Sequence, residues 1–86
     1  MSAQPNFADV LAARARIAAL TTRTPLRISA ALSERVGAPV FLKLETTQPT
    51  GAFKVRGAAN KMLSLSAAER ARGVITASTG NHGRAV

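Results

Sequence analysis

The sequence predicts an α/β fold built on a parallel sheet, and three observations support this. Segments typical of strands and helices follow one another in the second half of the chain as strand, helix, strand, loop and helix, the order found in parallel-sheet proteins. Apolar residues make up 47% of the 86 residues, which is typical of a globular chain and not of a disordered one. The aromatic residues are three Phe with no Tyr or Trp, so small aliphatic side chains supply much of the apolar content.

The chain begins with a predicted helical arm. Asn6 and Asp9 have the spacing of a variant capping box, in which each side chain binds the other residue's main-chain N–H. Apolar residues then recur at roughly helical intervals, which predicts a helix over residues 7–20. Thr24 precedes a proline, and a residue in that position is pushed away from helical angles. The helix is therefore expected to end before it.

A short helix and a strand are predicted next. Ser29 can cap a helix over about residues 30–36, and Gly37 stands just past its end, where glycine is favoured. Residues 39–45 contain β-branched and large apolar side chains in partial alternation, which predicts a strand. Residues 48–51, with the sequence QPTG, have proline and glycine where a tight turn uses them.

The helical period returns after this turn. Residues 54–64 are predicted to form an amphipathic helix, and its buried face would contain Val55, Ala58, Ala59 and Met62. A full capping box over residues 66–69 begins a short helix that ends at Gly73. Residues 74–77 are predicted to form a second strand, and residues 78–83 a polar loop with glycines.

We expect residues 1–86 to be a single incomplete amino-terminal segment. It would contain the helical arm (about 1–36), a first strand–helix unit (about 39–72) and the beginning of a further strand–loop–helix unit (about 74–86). Two strands do not make a stable parallel sheet, and residues 84–86 look like the beginning of another helix. The sequence therefore has the character of a fragment.

The net charge of +8, from 12 Lys and Arg against four Asp and Glu, would suggest a polyanionic partner in a free-standing domain. The arginines are spread along the chain without a dense run, and aromatic residues for stacking on single strands are scarce. These two features count against a small basic nucleic-acid-binding protein, which stays open only as an alternative, as does a non-catalytic regulatory or interaction segment. A third explanation is that the balancing acidic residues lie in sequence beyond this chain.

Composition also bears on several classes of protein. The absence of Cys excludes a disulfide scaffold and a cysteine-ligated metal site, and one His with four scattered carboxylates makes a conventional metal cluster improbable. Apolar stretches fall far short of the ~20 residues of a membrane span, and no signal-peptide pattern opens the chain. The Arg-rich beginning leaves a mitochondrial transit peptide as an alternative, but a cytoplasmic location is the simpler interpretation.

The first candidate site is the end of the turn at residues 50–54. Lys54 would lie in the first turn of a helix, at the positive end of the helix dipole, which disfavours an ammonium group. The neutral amine is the form that attacks an aldehyde. From position alone, the simpler interpretation of Lys54 is a solvated surface lysine. The corresponding interpretations are a core position for Phe53 and a solvated helix charge for Arg56.

The second candidate site is the loop at residues 78–83. Successive main-chain N–H groups that turn into a helix can bind an anion, and a carboxylate or phosphate is the natural ligand. His82 has no acidic or Cys partner nearby in sequence, so a structural hydrogen bond is simpler for it than catalysis. The spacing of Asp9, Ser78 and His82 does not match a nucleophile elbow with its triad.

Together, residues 42–45, 48–58 and 77–83 resemble the threonine/serine dehydratase family, which are pyridoxal-phosphate (PLP) enzymes of the tryptophan-synthase-β type, or fold type II. Residues 23–26 and the preceding helix are similar to the amino-terminal arm of that family. The resemblance covers essentially the whole chain but only the front part of such an enzyme. It implies a three-layer parallel-sheet fold with an amino-terminal helical arm.

The resemblance also implies roles for particular residues. Lys54 would be the catalytic Schiff-base lysine, Phe53 would lie beside the cofactor ring, and Asn81 would hydrogen-bond the phenolic oxygen of PLP. The substrate carboxylate would be bound by Ser78, Thr79, Gly80, Asn81 and His82. The implied reaction converts threonine or serine to a 2-keto acid and ammonia, with the Lys54 amine taking the proton from the substrate Cα.

Two residues depart from the family pattern: the first is a tolerated change beside the lysine, and the second bears on the reaction. Ala52 stands where the family often has Ser, and Thr79 stands where related racemases use a serine hydroxyl as the second acid/base. The second departure favours elimination over racemisation. A serine or threonine racemase stays open as an alternative, as does a hydroxyectoine-pathway dehydratase, which the end of the loop resembles.

In the family, the phosphate cradle, the partner of the pyridine nitrogen and any cation ligands lie further along the chain. The resemblance therefore implies that these 86 residues are inactive by themselves. It also implies a parent enzyme that forms a homodimer or higher homo-oligomer and acts on a small amino acid, without a nucleic-acid or membrane partner.

Overall fold

The computed structural model describes residues 4–86 and contains helices and a small sheet, in agreement with the mixed α and β content predicted. In chain order the elements are α1 (Phe7–Ile17), β1 (Leu26–Ile28), α2 (Ala30–Val36), β2 (Phe41–Lys43), a 3-10 turn (Glu45–Thr47), α3 (Lys54–Ser64), α4 (Ala67–Ala71) and α5 (Asn81–Ala85). None of the helices in this described part has both the length and the apolar composition that a membrane crossing requires.

The beginning of α1 is the predicted capping box. The main-chain N–H of Asp9 donates to the Asn6 side chain at 2.9 Å, and the Asn6 N–H donates to the Asp9 carboxylate at 2.8 Å. The helix ends at Ile17, three residues earlier than predicted. A turn follows, in which the N–H groups of Leu20 and Thr21 both donate to the Ile17 carbonyl.

Helix α2 has the predicted bounds and both predicted caps. The Ser29 hydroxyl accepts a hydrogen bond from the Leu32 N–H at 3.2 Å. Gly37 has a φ of 76° and donates its N–H to the Ser33 carbonyl. A side chain is strained at such an angle, so glycine is suited to end this helix.

The sheet of the described residues is antiparallel and has two strands. Strand β1 pairs with β2 so that Leu26 faces Lys43 and Ile28 faces Phe41. The predicted strand at residues 39–45 is thus paired over three residues, and the sequence did not indicate β1. The strand predicted at residues 74–77 is wrong for this structure, because no segment among residues 4–86 hydrogen-bonds to it as a neighbouring strand.

Helix α3 occupies the centre of the apolar core. It has the predicted bounds, and Val55, Ala58 and Ala59 of the predicted face are buried, with Met62 half-buried. Ile17 at the end of α1 completes this buried set. Helix α3 contacts α1 on one side and α5 on another, so it connects the arm to the carboxyl-terminal loop region.

The two ends of α1 should differ in their contribution to stability. Ile17 is 6% exposed and Phe7 is 74% exposed, although both belong to the same apolar pattern in the sequence. We expect Ile17→Ala to lower the free energy of unfolding of the 86-residue chain by about 2–3 kcal/mol. Phe7→Ala should change it by less than about 0.5 kcal/mol. Urea denaturation followed by circular dichroism measures both values, and equal losses would contradict the packing.

Candidate functional site

An open depression of about 350 Å³ brings parts of both predicted sites together. Its walls are formed by residues 42–46, from β2 and the 3-10 turn, by residues 51–53 before α3, and by Asn81 at the beginning of α5. Phe53 and Asn81 lie 28 positions apart in sequence and line the same depression. Of the predicted site residues, these two are brought together.

Lys54 is the first residue of α3 and lies next to this depression, not in its lining. Its side chain is exposed. The Lys54 Nζ lies 5.4 Å from the centre of the Phe53 ring, which is within the range of a cation–π contact. The amine is therefore located beside an aromatic wall residue.

The loop before α5 is exposed and folds back on itself. The Gly80 N–H donates to the Ser78 hydroxyl at 3.1 Å, and a Cβ at Gly83 would lie 3.3 Å from the Ser78 Cβ. The following helix begins at Asn81, three residues before the predicted beginning at residues 84–86. Ser78, Thr79 and Gly80 are thus exposed at the edge of the region, outside the lining of the depression.

His82 belongs to a different place. It lines a second depression of about 240 Å³, together with Met62 and Leu65 and with residues 74–76. The structure therefore separates His82 from Asn81, although the two residues are adjacent. Among residues 4–86, no group of His, Asp and Glu side chains is arranged to hold a metal ion.

The sequence did not reveal a polar cluster next to the first depression, which we name the Glu45 cluster: Thr22, Thr24, Glu45, Gln48 and Arg56. The Arg56 guanidinium forms an ion pair with Glu45 through Nε and a second bond from Nη2 at 3.0 Å. The solvated-charge interpretation of Arg56 is therefore wrong. The Thr24 hydroxyl donates to the same carboxylate at 2.6 Å, and the Gln48 amide donates at 3.2 Å.

The Glu45 cluster joins the arm to the segment that leads into α3. The Gln48 side chain accepts from the Thr22 N–H and donates to the Thr22 carbonyl, both at 2.8 Å. Arg56 also donates to that carbonyl at 3.3 Å. Thr24 and Gln48 are each 4% exposed. These hydrogen bonds fix the part of the arm that follows the buried Ile17.

The charge on Glu45 is strongly stabilised. Hydrogen bonding from Arg56 lowers the pKa of Glu45 from 4.5 to about 2, with help from Thr24 and Gln48 and against the opposing effect of burial. The same pair raises the pKa of Arg56. Both groups therefore stay charged over the whole physiological range. In the sequence, the signals for this ion pair were Glu45 at the end of a predicted strand and Arg56 two residues after Lys54. Neither residue shows in sequence which partner it will have.

The chain is similar to pyridoxal-phosphate dependent enzymes both in sequence and in structure. Residues 17–86 match the family described as pyridoxal-phosphate dependent enzyme. A Sinorhizobium fredii protein named threonine dehydratase is 60% identical over 74 residues, which are 86% of this chain and 22% of that protein. The β-hydroxyaspartate dehydratase of Paracoccus denitrificans is 50% identical over 78 residues, or 91% of this chain and 25% of that protein.

The structure of maize serine racemase is similar with a TM-score of 0.84 and 40% identity, over 93% of this chain and 25% of that one. This similarity confirms the predicted α/β fold class, because the described residues superpose on the corresponding part of a solved fold. The chain spans about a quarter of the length of the proteins it matches.

The Glu45 cluster makes stability depend on pH with a defined sign. Because the pKa of Glu45 is lower in the folded chain, its contribution is complete above about pH 4.5 and is lost as the pH falls toward about 2. Glu45→Gln should therefore cost about 1–2 kcal/mol of unfolding free energy near neutral pH, a value that allows for solvent screening at the half-exposed Arg56. The cost should shrink toward pH 2.

Urea denaturation of the unmodified chain and of Glu45→Gln, from neutral pH to about pH 2, measures the difference in unfolding free energy. Arg56→Gln should remove the same pH-dependent part, since it leaves Glu45 without its cation. A cost of Glu45→Gln that stays constant from neutral pH to pH 2 would contradict the assignment.

Proposed function

The chain belongs to the pyridoxal-phosphate dependent enzymes, and we propose that it is the amino-terminal segment of a dehydratase in that family. The proposed enzyme converts a 3-hydroxy amino acid, threonine or serine, to a 2-keto acid and ammonia. The observation that carries the proposal is the shared depression of Phe53 and Asn81 with Lys54 beside it. The 60% identity to a protein named threonine dehydratase supports the choice of reaction.

The residues around this depression have the chemistry that the cofactor requires. Phe53 offers an aromatic wall, Asn81 an amide that can donate to an oxygen, and Lys54 an exposed primary amine. The Thr50 hydroxyl, next to the Gly51 wall, is buried and has no hydrogen-bond partner among residues 4–86. A buried hydroxyl without a partner is costly, but Thr50 lies outside the lining of the depression and is not assigned to the cofactor.

Bound PLP would supply an electron-accepting ring that stabilises negative charge at the substrate Cα. The Lys54 amine would hold the cofactor and, when released, accept the proton from that carbon. Asn81 would donate to a cofactor oxygen and so orient the ring. Ser78, Thr79, Gly80 and His82 would contribute main-chain or side-chain donors to the substrate carboxylate, which sets the direction of the reacting bond.

The division of the chain follows from the same proposal. Residues 1–36 would be the arm, residues 39–72 the first strand–helix unit and residues 74–86 the beginning of the next unit. The segment at 74–77 would become a strand when the neighbouring strands of the complete enzyme are present. We propose that this enzyme is a cytoplasmic homodimer or higher homo-oligomer that binds neither nucleic acid nor membrane.

Racemisation is the second candidate reaction, and the similarity to maize serine racemase favours it. A racemase needs a second acid/base on the face of the substrate opposite the lysine. Thr79 occupies the position at which related racemases have a serine, and its β-branch restricts where the hydroxyl can point. We therefore favour elimination. Release of keto acid, without formation of the D-amino acid, distinguishes the two reactions.

The 86-residue chain should be catalytically silent. Its depression is open to solvent, and the proposed phosphate and pyridine contacts belong to later parts of the enzyme. Purified chain with PLP and threonine should release keto acid no faster than PLP alone, as measured by a coupled dehydrogenase assay. Turnover above that background would refute the expectation of silence.

In a protein that continues these residues in frame, Lys54→Ala should abolish most of the activity. Loss of a group that both holds the cofactor and moves a proton is expected to lower kcat by a factor of about 10³ or more. The matched control is Lys61→Ala, which removes another exposed lysine from the same helix and should leave kcat within about twofold. Normal turnover by the Lys54→Ala protein would rule out the proposed role.

A further inference from the structure

We infer that Glu45 is a positioning residue for Lys54: through Arg56 it holds the first turn of α3 against the arm. This inference rests on the proposed function, because it assumes that the Lys54 amine is the group to be positioned. The structural argument for it comes from the beginning of α3 and from the Glu45 cluster.

The first turn of α3 is packed through Val55 but has no capping side chain. Phe53 is the residue before the helix and provides no side-chain cap, and the first turn contains no acidic residue. Lys54 and Arg56 instead bring two cations to the end of the helix where the dipole is positive. An anion from elsewhere in the fold would offset them.

Glu45 is that anion. Arg56 follows Lys54 by two residues, so both lie within one turn of the same helix. The two bonds from Arg56 to the Glu45 carboxylate restrain the direction of the guanidinium as well as its distance. The carboxylate is held from the other side by Thr24 and Gln48, which are buried. The beginning of α3 is thereby fixed to the arm.

Glu45 also belongs to the wall of the depression that Phe53 and Asn81 line. The same carboxylate therefore sets the position of a wall and of the helix that carries Lys54. Movement of Glu45 would change the relation between the amine and the aromatic ring beside it. A residue that only stabilises the fold would not affect Lys54 more than other lysines.

Labelling by PLP tests this distinction in the 86-residue chain. The chain is incubated with limiting PLP, borohydride fixes the cofactor to the amine that it has bound, and peptide mass spectrometry measures the ratio of labelled Lys54 to labelled Lys61. The unmodified chain should favour Lys54. Glu45→Gln should lower the ratio about tenfold, because the displaced Lys54 amine would lose its orientation toward the depression in which the PLP ring is proposed to bind.

The control is Ser66→Ala, which removes the hydroxyl that accepts a hydrogen bond from the Glu69 N–H in the capping box of α4 and keeps the Glu69 charge, with which Lys61 interacts. That change weakens a helix beyond the carboxyl end of α3 and should leave the ratio unchanged. Circular dichroism records the helix content of each variant.

Thr24 provides a second, independent pair of variants. Thr24→Val keeps the buried volume but removes the hydroxyl that donates to Glu45, and should lower the ratio severalfold. Thr24→Ser keeps the hydroxyl but loses a buried methyl group, and should retain the ratio. A role in packing alone predicts the opposite order.

Three results would overturn the inference. An unchanged ratio in both Glu45→Gln and Thr24→Val shows that the carboxylate does not position Lys54. A fall in Thr24→Ser or Ser66→Ala as large as in Thr24→Val shows a general effect of stability. A lack of preference for Lys54 in the unmodified chain is a separate result, since it contradicts the proposed function itself and the inference with it.

Discussion

The Glu45 carboxylate is the constraint on which the arrangement of this chain depends. It accepts hydrogen bonds from Thr24 in the arm, from Gln48 in the turn and from Arg56 in α3. The apolar core is small and consists mainly of alanine and β-branched side chains. In other folds a larger apolar core fixes the relative direction of two segments. Here the Glu45 cluster helps to fix the direction in which the arm meets α3.

Much of the fold could be predicted because it is encoded locally. Capping boxes, the positive φ at Gly37 and the spacing of apolar residues in α3 each depend on neighbours within a few positions. Pairing between β1 and β2 could not be predicted, because three-residue strands leave too short a pattern. The prediction of a strand at residues 74–77 was wrong for a related reason. A strand needs neighbouring strands to hydrogen-bond to, and the local preference of its residues does not show whether they are present.

The candidate site was predictable in part. The resemblance of two separated motifs placed Phe53 and Asn81 in one site, and the structure brings them to one depression. The resemblance did not predict that His82 would line the other depression. The partnership of Glu45 with Arg56 was also missed, because a charge on a helix surface gives no sign in sequence of the acid that will face it after folding. The structure therefore adds ion pairs between residues distant in sequence, which the sequence alone does not reveal.

The most direct test of this account is an NMR titration of the Glu45 side-chain carboxyl in the folded chain, with the resonance assigned through Glu45→Gln. The midpoint is expected at a pH of about 2, because Arg56 and its neighbours hold the carboxylate in its charged form. A midpoint near the ordinary value of 4.5 would show that the ion pair does not hold the junction, and would contradict the account.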